Sequence, residues 1–306
     1  MGAQLRRVRQ RVTAVKSIAK ITRAQELIAS SRIIKAQQRV RASAPYARQI
    51  TRAISALISH NVSVTHPLLT ERTDTRRAAV LLITSDRGFC GGYNSNVIRE
   101  AEGLGALLRE QGMEPIPYIV GRKGIGWYRF RQRPFAHEWH GFSDNPRFEN
   151  AEAIGKVLVA DFGKPEDEGG VGEIHVVYTE FVSMLTQRVE VRRLLPLEIE
   201  EVEEAPDERE LGALPLYEFE PEPERVLDAL LPNYIESRIW HMLLQAAASE
   251  HAMRRRAMKS ATDNANDLVE SLTREANQAR QAEITQEISE IVGGANALAE
   301  VSAGSE

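Results

Sequence analysis

No proline follows Pro232, and no glycine falls between Gly212 and Gly293. That stretch constrains the chain more than any motif in it, because glycine and proline are the residues that most readily interrupt a helix. A helix is therefore predicted from Glu224 to about Gly293. Ala261, Ala265, Leu268 and Leu272 step by four, three and four, and Ile284, Ile288 and Ile291 by four and three. These are the intervals of a coiled-coil seam, diluted by small residues. Roughly 60–70 helical residues span ~90–105 Å.

The opposite end carries a similar signal. Leu5, Val8, Val12, Val15, Ile18 and Ile21 recur every three or four residues, continued less regularly by Ile28, Val40, Ile50, Ile54 and Leu57. This is the stripe of an amphipathic helix over about 3–59. Ser43 precedes Pro45, a pair suited to capping a second helical segment, so a kink is expected there. A helix ~80 Å long exceeds the diameter of a globular domain and needs a long partner or a hole to occupy. Two such helices at opposite ends of one sequence find their simplest use in each other, as an antiparallel pair. A pair of that length is a shaft, an arm or a spacer, and it offers few concave pockets for catalysis.

Between them the pattern changes. Residues 78–84, AAVLLIT, read as a buried strand before the polar, glycine-rich loop Ser85–Asn96. A helix over about 94–110, a strand at 115–120, a short helix RKGIGWYRF, a helix over 149–160 and strands at 174–181 and 188–195 follow. Strands alternating with helices predict a parallel α/β sheet. The expected division is an N-terminal helix over 1–60, an α/β domain over 75–200, an acidic linker over 201–224 and a C-terminal helix over 225–300. Gly163–Glu173, GKPEDEGGVGE, reads as a surface loop.

Charge is unevenly spread. From Met1 to Arg41 a series of arginines and lysines meets one acid, Glu26; from Glu198 to Glu224 a run of acids meets one basic residue, Arg209. The basic arm fits a solvated helix face or a nucleic-acid contact. The second reading lacks interleaved aromatics and any recognition-helix motif, and the acidic stretch would repel phosphate. A single cysteine, Cys90, rules out a disulfide within the chain and a cysteine-rich zinc site, and the seven histidines show no ligand spacing. No metal or cofactor is expected. SDRGFCGG follows a strand as phosphate loops do, but it matches neither glycine-rich nucleotide fingerprint. Cys90 reads as a buried structural cysteine rather than a nucleophile. No apolar run reaches the ~20 residues of a membrane span.

Four separated segments carry a resemblance. KITRAQELIASSR (Lys20–Arg32), SDRGFCGGYNSN (Ser85–Asn96), ESRIWHMLLQAAASEHAMRRRAMKSATDNAND (Glu236–Asp267) and ITQEISEIVGGANA (Ile284–Ala297) together resemble, in order, the gamma subunits of rotary F-type ATP synthases. The resemblance implies an antiparallel coiled coil of the N- and C-terminal helices with a Rossmann-like α/β domain. It implies a non-catalytic rotor that couples an ion-driven ring of membrane c subunits to ATP synthesis or hydrolysis in an alpha–beta hexamer, and that also binds epsilon. By resemblance, Arg254, Gln281 and Thr285 contact a catalytic-subunit loop, and Ile284, Ile288 and Ile291 turn in an apolar sleeve. The basic face Arg6–Arg41 meets acidic hexamer surfaces, and Tyr217, Glu218, Phe219 and Glu220 lie near the ring and epsilon. Gln25 stands where the family often has Met, and the Gly163–Glu173 loop is longer than in many relatives. The expected location is peripheral, on the cytoplasmic face of a bacterial plasma membrane.

Overall fold

The computed structural model describes residues 2–60, 66–197 and 223–303. Most of the acidic stretch, including Tyr217–Glu220, lies outside the described residues. The chain divides into two compact units. One joins Met1–Ile28 to Arg255–Glu306, and the other is Ala29–Arg254.

The larger unit is built on a five-stranded sheet. Its strands are β1 (Arg77–Ile83), β2 (Glu114–Val120), β3 (His137–Trp139), β4 (Glu173–Phe181) and β5 (Gln187–Leu195), in the order β3-β2-β1-β4-β5. The helices are α1 (Gly2–His60), α2 (Tyr93–Glu110), α3 (Arg122–Phe130), α4 (Phe148–Gly163) and α5 (Pro223–Ala303). In β1 the alternation of side chains along a strand is plain. Ala79, Leu81 and Ile83 enter a core with α4, Ile50 and Ile54 of α1, and Leu231, Ile235 and Ile239 of α5. Ala78, Val80 and Leu82 enter a second core with Val97 and Ala101 of α2 and Ile125 and Tyr128 of α3. The apolar run needs both faces covered, and the three-layer arrangement covers them.

Two expectations about the sheet need correction. It is mixed rather than parallel, because β5 runs antiparallel to β4. Only Val182–Thr186 separates them, too short for the crossover that parallel neighbours require. The three-residue β3 was not expected, since HEW carries no apolar run. Helix α1 runs through Pro45 without a break, so no second helical segment starts there. Ser43 caps nothing: its Oγ donates to Val40 O at 2.9 Å. An interior proline costs about 3 kcal/mol, and burial of Ile50 and Ile54 in the sheet core one and two turns later offsets it. Helix α5 also runs past Gly293 and Gly294 to Ala303, carried by the alanines and leucine that follow.

The smaller unit is a helix pair. In α1 the covered positions are Leu5, Val8, Val12, Val15, Ala19, Thr22 and Glu26; in α5 they include Met258, Thr262, Ala265, Val269, Leu272, Ala276, Ala279 and Glu283, flanked by Arg255, Ala257 and Ala261. Both sets alternate by three and four, the spacing of a coiled-coil seam. Thr22 Oγ1 and Thr262 Oγ1 share a hydrogen bond of 2.7 Å. Arg9, Gln10 and Thr13 border one cleft with Glu283. Numbers thus rise on one helix as they fall on the other, and the pair is antiparallel. The stripe read from the sequence leaves this seam at Ile18, Ile21 and Leu268, which are 51%, 62% and 43% exposed.

Candidate functional site

The loop Ser85–Gly92 is closed by its own side chains. Ser85 Oγ donates to Arg87 O at 2.7 Å, and the Asn94 amide donates to Ser85 Oγ at 2.8 Å and Cys90 Sγ at 3.2 Å. Phe89 and Gly91 take positive φ values of 59° and 58°, a conformation easy for glycine and uncommon for phenylalanine. Cys90 is buried, and burial pushes its thiol pKa up. That is the environment of a structural cysteine.

Asp86 joins this loop to the next one. Its Oδ2 accepts from Gly141 N at 2.7 Å and Ser143 N at 3.0 Å, and its Oδ1 from Arg122 N at 3.2 Å. Burial opposes the charge, but these three backbone N–H groups outweigh it and hold the carboxyl below its ordinary range. Arg122 opens α3, so a carboxylate of the chain itself sits at the N-terminus of that helix.

On α5, Glu250, His251 and Arg254 form one buried cluster. The Arg254 guanidinium donates to Glu250 Oε1 at 2.6 Å, to Gly88 O at 3.3 Å and to Arg87 O at 3.3 Å. Glu250 is 1% exposed, and burial pushes its carboxyl up against the pull of Arg254. His251 Nε2 donates to Asp144 O at 2.9 Å, leaving Nδ1 to accept from Arg254 Nη1 at 3.4 Å. Burial holds this imidazole neutral, with a pKa lowered from 6.5 to about 4. Between those values the unfolded chain binds a proton here that the folded chain does not. Stability therefore falls as pH falls through that window, by about 3 kcal/mol at its lower end. His251→Gln is expected to remove this dependence. Urea titrations at pH 7 and 4.5 measure it, and an unchanged difference between the two pH values would acquit the imidazole.

The residues singled out from the sequence are thus dispersed. Arg254 belongs to the sheet unit and is buried, its fork taken by Glu250 and two loop carbonyls. Gln281 and Thr285 belong to the helix pair and are exposed, with Thr285 Oγ1 donating to Gln281 O at 2.9 Å. From Ile284 to Ala295 every side chain is exposed, Ile288 at 56% and Ile291 at 71%. Asp86, Ser143, Asp144, Glu250 and His251 escaped the sequence reading. Asp86 lies inside a loop already noted and Glu250 and His251 inside the segment Glu236–Asp267, whereas Ser143 and Asp144 carried no signal.

A family model described as ATP synthase matches residues 4–298. The ATP synthase gamma chain of Thermobifida fusca is 60% identical over 306 residues, and that of Acidothermus cellulolyticus 61% identical over 306, each covering 100% of both chains. The gamma chain of Kineococcus radiotolerans is 62% identical over 299 residues, 98% of either chain. Among solved structures, a chain of the Euglena gracilis mitochondrial ATP synthase (OSCP/F1/c-ring, rotational state 3) matches with a TM-score of 0.65 at 16% identity, over 97% of this chain and 95% of that one. A chain of the Tetrahymena thermophila mitochondrial ATP synthase central stalk and c-ring matches at 0.56 and 21% identity, over 79% and 99%. At those identities the likeness is one of fold.

Proposed function

Since this chain belongs to the ATP synthase gamma chain family, we propose that it is the rotating central shaft of an F-type ATP synthase. An ion-driven ring of membrane c subunits turns it inside a hexamer of alternating alpha and beta subunits, and it carries no catalytic site of its own. The observation that carries this reading is the end of α5, where Ile284–Ala295 exposes side chains on all sides. Its apolar groups, Ile284, Ile288, Ile291 and Val292, share one face and are exposed, and an uncovered apolar face calls for cover. An apolar sleeve supplies cover without directional bonds that would lock one angle. A shaft of two unlike helices meets each catalytic subunit with a different face. Differential contact of a few kcal/mol then shifts each subunit between open and closed forms by large factors.

In this scheme Gln281 and Thr285 meet the catalytic-subunit loop directly. Arg254 joins that contact by exchanging its present partners, Gly88 and Glu250. The basic residues from Arg6 to Arg41 face acidic surfaces of the hexamer's lower opening, and Tyr217–Glu220 approaches the ring and epsilon. The location is peripheral, on the cytoplasmic face of a bacterial plasma membrane. No helix among the described residues is long and apolar enough to cross one.

The test is reconstitution with alpha and beta subunits, with a bead on Glu110→Cys, an exposed position on α2. Cys90 is buried and leaves the engineered thiol to react. Stepwise, ATP-dependent rotation in one direction is the expected result, and a folded chain that forms no complex would end the proposal. Ile288→Asp is expected to lower the yield of assembled complex roughly tenfold, since a carboxylate in an apolar sleeve costs at least about 1.4 kcal/mol. Co-purification of alpha and beta with the variant measures it.

A further inference from the structure

The five residues Gly141–Asn145 touch three other parts of the sheet unit. Gly141 N and Ser143 N hold Asp86, and Ser143 Oγ accepts from Asp86 N at 2.8 Å. The Asp144 carboxylate accepts from Arg32 of α1, with Arg87 Nη1 at 3.9 Å. The Asp144 carbonyl accepts from His251 of α5, and Asn145 accepts from Arg39 of α1. One short loop thus grips both long helices and the loop that leaves β1.

Helix α5 has further directional bonds to the sheet, with Ser249 Oγ donating to Thr179 O at 3.0 Å and Gln245 Oε1 accepting from Phe181 N at 3.2 Å, whereas the core contacts of both helices are apolar. Ile50 and Ile54 of α1 and Leu231, Ile235 and Ile239 of α5 lie in the core. Apolar contact is non-directional. It holds a helix against the sheet but resists axial sliding and rotation only through shape. A charge-assisted hydrogen bond has a preferred direction and loses strength when the donor turns away. The Asp144 carboxylate supplies such a restraint to α1 through Arg32, and its backbone carbonyl accepts a neutral hydrogen bond from His251 of α5. The carboxylate is 18% exposed and the Arg32 side chain 40%, so solvent screens the pair only in part.

We propose that Asp144 is a positioning residue that locks α1 to the sheet unit through Arg32 and so lets rotation of that unit turn α1 together with α5. This rests on the shaft reading above. Under load, a chain without the Asp144 carboxylate lets α1 slip while the catalytic hexamer still turns over ATP.

The experiment uses the complete ATP synthase in inverted membrane vesicles and reads ion pumping per ATP hydrolysed. Asp144→Asn keeps the shape of the side chain and its backbone carbonyl; Asp144→Glu keeps the charge. The expected result is a pumping ratio roughly fivefold lower for Asp144→Asn, at unchanged subunit content, and most of it regained in Asp144→Glu. A purely structural role would lower the amount of assembled complex and leave the ratio alone. An Asp144→Asn enzyme that pumps at the wild-type ratio would overturn the proposal, as would equal losses in both variants. A parent complex with no rotating gamma chain would instead strike the shaft reading itself.

Discussion

Arg254→Ala should destabilise the folded chain by about 3–5 kcal/mol, the usual cost of stranding one member of a buried ion pair. Glu250 has almost no contact with water, and its Oε2 already lacks a hydrogen-bond partner. Removing the guanidinium also takes the donor from the Gly88 and Arg87 carbonyls, so the Ser85–Gly92 loop loosens with it. Part of the charge cost is relieved by proton uptake, because burial already pushes the Glu250 carboxyl up. The single variant should therefore regain stability as pH falls towards the carboxyl's raised pKa. Glu250→Gln in the Arg254→Ala background should recover much of the loss at neutral pH, because a neutral amide replaces the stranded charge. Urea titration followed by tryptophan fluorescence measures all three proteins. A loss below 1 kcal/mol for Arg254→Ala would mean the pair is dispensable to the fold.

Gly121→Ala should be still more damaging. Gly121 ends β2 at φ 96°, and a Cβ there would lie 2.3 Å from Thr84 O. The carbonyl has little room to yield, since the same residue's N donates to Val120 O at 2.8 Å and its Oγ1 to Val120 O at 2.7 Å. Gly121 N is itself fixed to Trp139 O at 2.8 Å. A clash with anchored backbone joined to an unfavourable φ places the expected loss above about 4 kcal/mol. The measurement is the recovery of soluble chain with native circular dichroism. A soluble Gly121→Ala chain with the parent's urea midpoint would show that the β1 and β2 ends are softer than their hydrogen bonds indicate.

What the sequence disclosed, and what it hid, follows from where each element finds its partners. AAVLLIT announced β1 because both faces of that strand are buried, which leaves an unbroken apolar run. His137–Trp139 announced nothing, because a three-residue edge strand is held by its pairing to Tyr118–Val120. The antiparallel turn into β5 was in fact legible: five residues between strands exclude a crossover, and the alternating pattern alone was read. The helix seams were misjudged for a subtler reason. Large apolar residues were followed through Ile18 and Ile21, whereas the seam runs through Ala19, Thr22 and Glu26. Small and polar side chains line it where the helices meet, so the largest hydrophobes do not mark the contact. The Asp144 hub was out of reach of local reading, since its partners come from residues 32, 39, 86, 87 and 251 and only the tertiary fold assembles them.

The bond between Thr22 and Thr262 joins residues 240 apart in the sequence. On a ribosome adding 5–20 residues per second, about 12–50 s separate the synthesis of one threonine from that of the other. Throughout that interval the first half of α1 is made but has no partner, with Val8, Val12 and Val15 uncovered beside Ile18 and Ile21. The strands β1–β5 and their intervening helices are all translated first. The helix pair can therefore close only after every strand of the sheet has been made.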